Sequence, residues 1–245
     1  MTPKLSIVTI CYNEVNRIEA TLQSVLHQTY TNYEYIVVDG ASTDGTVDIL
    51  HRHKEHFSVF ISEPDQGIYN AMNKAISYCK GDYIYFLNGG DVLYEKEILT
   101  KIFSYEINGD LIYGNIAIKP LDKEQWILQM PVQLTKTFLL KKTIPHQATF
   151  THRDIFSKVG KYDESFKIVA DYKLSLLAIY KYDFCLQYIP ETFAVFELSG
   201  VSHVNADVRN QEKRKVQEEV FGKLNLNLFI AWITIKNKVL NKAWK

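Results

Sequence analysis

The chain has 245 residues, 47% of them hydrophobic and 23% charged, with 28 Lys and Arg set against 28 Asp and Glu. That is enough chain for one large α/β domain or two small ones with a well-buried core, and zero net charge excludes a global field for nucleic acid, so a polyanion would need a local site. The three cysteines, Cys11, Cys79 and Cys185, lack metal-type spacing, and an odd, sparse count suits a reducing cytoplasm. Met1–Lys4 runs straight into a strand-like segment without the pattern of a signal peptide, and no window of about 18 apolar residues could span a bilayer.

In chain order, Leu5–Cys11 is a short β-branched run and reads as a buried strand. Ile18, Leu22, Val25 and Leu26 then fall at helical spacing. Tyr33–Val38 is a second strand ending at Asp39-Gly40, and Thr43–Thr46 is a turn into a helix reaching His53. Phe57–Ser62 is a third strand, Ile68–Cys79 a helix, and Tyr83–Leu87 a fourth strand followed at once by Asn88-Gly89-Gly90-Asp91. Repeated strand–helix–strand units imply an α/β fold with a mostly parallel sheet and right-handed crossovers. Beyond residue 95, Leu111–Ile118 and Gln125–Gln129 read as strands, Thr135–Lys142, Arg153–Val159 and Ala170–Tyr182 as helices, and Phe184–Ile189 and Thr192–Glu197 as strands. Residues 1–205 are expected to form one domain and 206–245 a helical extension. Within that extension Asp207–Lys223 reads as a solvated helix, and the tail is apolar before Lys236, Lys238, Lys242 and Lys245.

Ligands in such sheets bind beyond the carboxyl ends of the strands. Asn13-Glu14, Asp39, Asp44, Glu63-Pro64-Asp65 and Asp91 all stand at such ends. Crowded carboxylates repel and call for cations or hydrogen-bond donors among them. A hard divalent ion shared with substrate phosphates answers that need.

Four ordered segments carry a family resemblance: Ser6–Asn13, Val37–Thr46, Ser62–Ala75 and Gly81–Asp91. They closely resemble family 2 glycosyltransferases of the GT-A, Rossmann-like fold, strongly over residues 4–95 and moderately over 143–180; transferases of bacterial exopolysaccharide and O-antigen assembly are the nearest by pattern. The resemblance implies a nucleotide-sugar donor, a saccharide or lipid-linked acceptor, and Mn²⁺ or Mg²⁺ as cofactor. It places Thr9, Tyr12 and Glu14 beside the nucleotide base, with Asp39 accepting an imide N–H of uracil. Asp44 either contacts the donor or supports the turn into the next helix; Asp65 and Lys74 face ribose, sugar or phosphates. Asn88 would bond ribose or sugar, with Gly89 and Gly90 admitting the donor to the backbone. Asp91 would hold the metal, although family members often carry Asp-x-Asp where this chain has Asn88-Gly89-Gly90-Asp91.

The resemblance implies Asp171 as general base at the start of a helix, where it would also cap amides. His146, Asp163 and Glu164 would meet acceptor or diphosphate, or else be structural, the two acids as a loop-stabilising turn, and His203 is a candidate late metal ligand. The implied reaction is direct displacement with inversion at the anomeric carbon, using one carboxylate base where glycosidases use two. Three alternatives stand beside it. A weakly catalytic nucleotide-sugar-binding protein of the same fold is suggested by Asn88-Gly89-Gly90. A sugar-nucleotide pyrophosphorylase should show a glycine-rich loop after the first strand, where this chain has Cys11-Tyr-Asn-Glu14. A processive synthase needs membrane helices and a Gln-x-x-Arg-Trp motif. The expected location is the cytoplasm, with residues 224–245 a candidate contact to the inner membrane face.

Overall fold

The structure, a computed structural model, describes residues 5–120, 123–197 and 206–242, with side chains of the last helix described as far as Trp232. Four parallel strands come first: β1 (Leu5–Cys11), β2 (Tyr33–Asp39), β3 (Val59–Ser62) and β4 (Tyr83–Phe86). The crossovers between them carry α1 (Ile18–Leu26), α2 (Thr46–Arg52) and α3 (Ile68–Ile76). After β4 come β5 (Val92–Leu93), α4 (Ile98–Ile102), β6 (Leu111–Lys119), β7 (Trp126–Leu128) and α5 (Lys136–Lys141). Then follow β8 (Thr149–His152), α6 (Arg153–Lys158), α7 (Ala170–Lys181), β9 (Leu186–Glu197), α8 (Ala206–Phe221) and α9 (Lys223–Lys242).

All strands join one sheet in the order β3-β2-β1-β4-β8-β6-β9-β5, with β7 paired to β6. The β3-β2-β1-β4 half is wholly parallel, β6 and β9 are also parallel, and β8, β7 and β5 are antiparallel additions. Every residue of β1 is buried because both faces of the sheet are covered. Its side chains alternate between two cores, as a period of two requires. Val8 and Ile10 join Ile36, Val38, Ile84 and Phe86 beneath α3 and α7, while Leu5, Ile7 and Cys11 join Tyr35, Val37, Tyr85 and the buried residues of α1 and α4.

The structure departs from the sequence reading at several elements. Phe184–Ile189 and Thr192–Glu197 are one strand, β9, that stays paired to β6 through a register shift beside Asn115. There the chains close so tightly that a Cβ on Gly114 would stand 2.2 Å from Phe193 and 2.7 Å from the Glu191 carbonyl. β5, α4 and β8 were not anticipated as elements. The highly charged α8 is not simply solvated: Val216, Gln217 and Val220 are buried, and Glu212 accepts the amides of Lys167 (2.8 Å) and Ile168 (3.0 Å) just before α7. α8 is therefore built onto the core of residues 1–205. Among the described residues no helix is long and apolar enough to cross a membrane.

Candidate active site

The parallel strands end side by side, and the loops leaving them are zipped together by hydrogen bonds. Asn13 N–H donates to Ser42 Oγ (2.8 Å), Thr43 N–H to Asn13 Oδ1 (2.9 Å) and Glu14 N–H to Thr46 Oγ1 (2.8 Å). Asp44 takes its turn-supporting role: it accepts from Val15 N–H (3.0 Å), Thr46 N–H (3.0 Å) and Thr46 Oγ1 (2.6 Å). Beyond this zipper Tyr12 stands 61% exposed. Asp65 folds over the end of β2, where a Cβ on Gly40 would lie 2.6 Å from its Oδ2 and 3.3 Å from the Tyr12 ring. Tyr12 and Asp65 thus form an accessible floor over the buried Gly40 at the tips of β1, β2 and β3.

Several residues expected on that floor lie elsewhere. Thr9 is fully buried, its hydroxyl bonded to the Leu87 carbonyl (2.8 Å) and the Tyr35 hydroxyl (2.9 Å), so it cannot touch a ligand. Asp39 is likewise fully enclosed: its carboxylate accepts from Ser42 N–H (3.0 Å), the Ser42 hydroxyl and the Ser62 hydroxyl (2.7 Å). It ties the ends of β2 and β3 together, and an imide N–H would have to displace one of those donors. Lys74 pairs with Glu63 (2.8 Å) and donates to the Pro64 carbonyl (3.0 Å), bracing the loop that carries Asp65 rather than facing phosphates. Glu14 grips Arg17 through two bonds of 2.7 Å, and Arg17 also approaches Glu197 of β9 (3.5 Å). Burial raises the Glu14 pKa against the opposing pull of Arg17.

The glycines after β4 serve this same cluster. A Cβ on Gly89 would stand 3.0 Å from Cys11 and 3.1 Å from Glu14, and one on Gly90, whose φ is +96°, 3.1 Å from the Arg17 guanidinium. Both glycines thus lie close against the chain's own side chains, and the positive φ of Gly90 itself favours glycine. The turn they make presents Asn88 and Asp91.

Asp91 is 6% exposed. Its Oδ2 accepts from Gln147 Nε2 (3.0 Å), and no hydrogen bond reaches Oδ1 among the described residues. Burial pushes its pKa up to about 7, against the opposing influence of His146, Gln147 and Arg17. The donor set is spare: no group of three His, Cys, Asp or Glu side chains gathers as a metal cage among the described residues. It still fits a hard divalent cation of the kind that takes one or two carboxylates and completes its shell with phosphate oxygens and water. An enclosed carboxylate with an open oxygen gains most from such a neighbour. His203 lies outside the described residues.

On the other side stands Asp171, in the first turn of α7. Its Oδ1 accepts from Tyr69 Oη (3.1 Å) and from the Tyr172 amide (2.8 Å), and its Oδ2 lies 3.2 Å from His146 Nδ1. Burial first, and the Asp171 charge second, hold the Tyr69 phenol well above its ordinary pKa, so it remains a donor. His146 Nε2 lies 3.0 Å from Asn88 Nδ2. A pocket bordered by His146 and Asp171 runs back between Phe86, Ile144, Tyr162 and Leu174. The acidic turn does not join this group. Asp163 is held down to about 2, first by its bond to Lys173 (2.8 Å), while Glu164 accepts from Asn70 (2.9 Å) and Asn73 (2.7 Å). Both acids lock the loop before α7 in place.

Sequence reasoning missed Arg17, Tyr69 and Gln147 as site residues. Tyr69 stands inside one of the four segments that carry the family resemblance and Gln147 in the stretch of moderate likeness, but only the contacts reveal that each holds a carboxylate.

Residues 6–159 match the family model described as Glycosyl transferase family 2. The chain belongs to that family. It is 26% identical over 248 residues, 98% of this chain and 94% of the relative, to a PGL/p-HBAD biosynthesis glycosyltransferase of Mycobacterium bovis. It is also 34% identical over 152 residues, 58% of this chain and 59% of the relative, to the putative teichuronic acid biosynthesis glycosyltransferase TuaG of Bacillus subtilis. Among solved structures, Staphylococcus aureus TarS in complex with UDP-GlcNAc aligns with a TM-score of 0.70 at 15% identity, covering 91% of this chain and 72% of that one. The mannosyltransferase PcManGT of Pyrobaculum calidifontis, with GDP-Man and Mn²⁺, aligns at 0.66 and 18% identity, covering 86% of this chain and 62% of that one. The fold of this family 2 glycosyltransferase is thus the GT-A fold. Membership also sets aside the pyrophosphorylase reading.

Proposed function

We propose that this glycosyltransferase moves a sugar from a UDP-sugar to a hydroxyl of a saccharide or lipid-linked saccharide acceptor, with inversion, in surface polysaccharide assembly. One observation carries the reading. Two adjacent residues, His146 and Gln147, each hold one carboxylate: His146 approaches Asp171 at 3.2 Å and Gln147 binds Asp91 at 3.0 Å. A donor-side acid and an acceptor-side acid are thereby fixed on opposite flanks of one short segment, as a displacement between two substrates requires.

In this reading Asp91 holds Mn²⁺ or Mg²⁺ against the donor diphosphate. The cation, when bound, supplies Lewis acidity for the charge that grows on the departing nucleotide. Tyr12 and Asp65 border the nucleotide, Asp65 toward its ribose. Asn88 Oδ1, a buried oxygen with no hydrogen-bond partner among the described residues, accepts from a hydroxyl of ribose or sugar. Asp171 takes the acceptor proton as the hydroxyl oxygen attacks the anomeric carbon. Uracil in TarS, which binds UDP and UDP-GlcNAc, supports UDP here; the enclosed Asp39 does not. A thermal-shift series with UDP, GDP and dTDP, each with Mn²⁺, tests the donor, since a ligand of the folded state raises apparent stability by mass action. A larger shift with GDP would overturn the choice of uracil.

A second reading, a nucleotide-sugar-binding protein with weak catalysis, is favoured by the single carboxylate at the metal position. Release of free sugar or of a transferred product from a radiolabelled donor distinguishes the two.

The exposed Leu224, Leu228 and Trp232 of α9 recur every fourth residue, and four lysines follow with no acid after Glu219. We propose that this stripe rests on an anionic membrane surface at the cytoplasmic face.

A further inference from the structure

Asp171 does not stand alone: it ends a line of polar groups that begins at Asn88, at the donor end of β4. The line fixes which proton sits where. Asn88 Nδ2 faces His146 Nε2 at 3.0 Å. An amide N–H can only donate, so Nε2 accepts and is bare. The proton of the neutral ring is then on Nδ1, aimed at Asp171 Oδ2 across 3.2 Å. Turning the Asn88 amide over would move the neutral ring's proton to Nε2 and set a bare Nδ1 against the Asp171 carboxylate across 3.2 Å, two acceptors facing each other.

The lone pairs of Asp171 can now be counted. Oδ1 already accepts from Tyr69 Oη and the Tyr172 amide. Among the described residues Oδ2 accepts only from His146, so one further position is open there. We infer that His146 is a positioning residue: held by Asn88 as the Nδ1–H tautomer, it orients the Asp171 carboxylate so that Oδ2 alone receives the acceptor's proton. The inference rests on the proposal that Asp171 is the base. In the step itself the acceptor O–H bond breaks and its proton passes to Oδ2. The freed oxygen pair forms the new bond to the anomeric carbon, and the sugar–phosphate bond breaks with its electrons leaving on the nucleoside diphosphate. His146 exchanges no proton.

The stranded Asn88 Oδ1 gives the line a second property. A hydroxyl of the bound donor, donating to Oδ1, holds the amide in the orientation that keeps Nε2 bare. Donor binding thereby reinforces the tautomer that aims the base.

The test uses two substitutions that divide the ring between them. His146→Asn keeps an N–H near the position of Nδ1; His146→Gln keeps one near Nε2 and loses the donor to Asp171. Transfer and donor binding are measured for the full chain with Mn²⁺ and UDP-sugar. His146→Gln is expected to lower kcat on the order of 10²-fold, the scale of a misplaced reacting group, with donor affinity unchanged, and His146→Asn to restore most of the rate. Equal losses in both, or a loss in neither, overturn the inference. A nitrogen-15 spectrum of the wild-type imidazole, assigned by its absence from His146→Asn, gives a readout independent of activity. A protonated Nδ1 and bare Nε2 are expected, and a proton on Nε2 overturns the inference. Asp171→Asn separates this from the parent proposal. If that variant still transfers sugar, the base assignment itself fails. If it is dead while His146→Asn and His146→Gln behave alike, only the positioning role fails.

Discussion

Asp91 joins a buried position to an open coordination site, and its proton is the quantity to follow. Its pKa of about 7 in the folded chain lies above the ordinary aspartate value of 3.8. A carboxyl raised in this way stabilises the folded chain while protonated, below the unfolded value. That contribution is lost as pH climbs from about 4 to about 7, leaving an enclosed charge above it. At about 1.4 kcal/mol per pKa unit, the effect is on the order of a few kcal/mol. Without metal, Asp91→Asn should therefore melt higher than wild type at pH 8 and lose that advantage at pH 5. Mn²⁺ should stabilise wild type at pH 8, bind more weakly as pH falls below 7, and leave Asp91→Asn unmoved. Scanning calorimetry at the two pH values decides it; an advantage of equal size at both would show that Asp91 carries no raised pKa. At the acceptor side, Asp171→Asn keeps shape and the Tyr172 amide contact but loses the basic lone pair. It should lower kcat by about 10²-fold or more with donor affinity nearly unchanged. Transfer at the wild-type rate would remove Asp171 from the role.

At the scale of elements, the parallel half of the sheet was legible because each strand is a continuous apolar run between turn residues. β1 was bounded correctly at Leu5–Cys11. β8, only Thr149–His152, was not, because four residues paired on both sides carry no periodicity that separates strand from loop. The break read at Pro190-Glu191 reflects the same limit: a bulge looks like a turn until its partner strand is seen. That bulge can be tested. A methyl on Gly114 would stand 2.2 Å from Phe193, and both backbones are fixed by pairing, so Gly114→Ala should cost about 1–3 kcal/mol by overpacking. The urea midpoint measures it, and an unchanged midpoint would mean that β6 and β9 can part locally. Candidate residues followed the same division. Asp44, Asp91 and Asp171 could be picked out by position at strand or helix ends. Thr9 and Asp39 occupy equally suggestive positions, yet their partners Leu87, Ser42 and Ser62 are distant or ambiguous in the sequence, and burial decides against them.

For the whole molecule, α8 and α9 divide the work of the C-terminal segment. α8 is held by Val216 and Val220 in the core and by Lys173–Glu219 at 2.7 Å, and Gly222, with φ +76°, ends it. α9 buries Leu226 and leaves Leu224 (73%) and Trp232 (56%) exposed. Co-sedimentation with vesicles containing anionic lipid should bring down the full chain, and a chain truncated after Gly222 should stay in the supernatant. Equal behaviour of the two would reject the membrane role. High salt should weaken binding, since screening acts on the lysines and not on the apolar stripe.

The pairing of His146 with Asp171 and of Gln147 with Asp91 has a mechanical consequence. Asp91, the proposed donor-side carboxylate, follows β4, and Asp171, the proposed base, opens α7, some eighty residues later along the chain. Ordinarily the spacing of two such groups would drift with every relative motion of the elements that bear them. Here both are tethered to neighbouring links of one peptide, whose length is set by covalent bonds rather than by packing. The two carboxylates to which the proposed reaction is assigned are thus calibrated by a ruler one residue long.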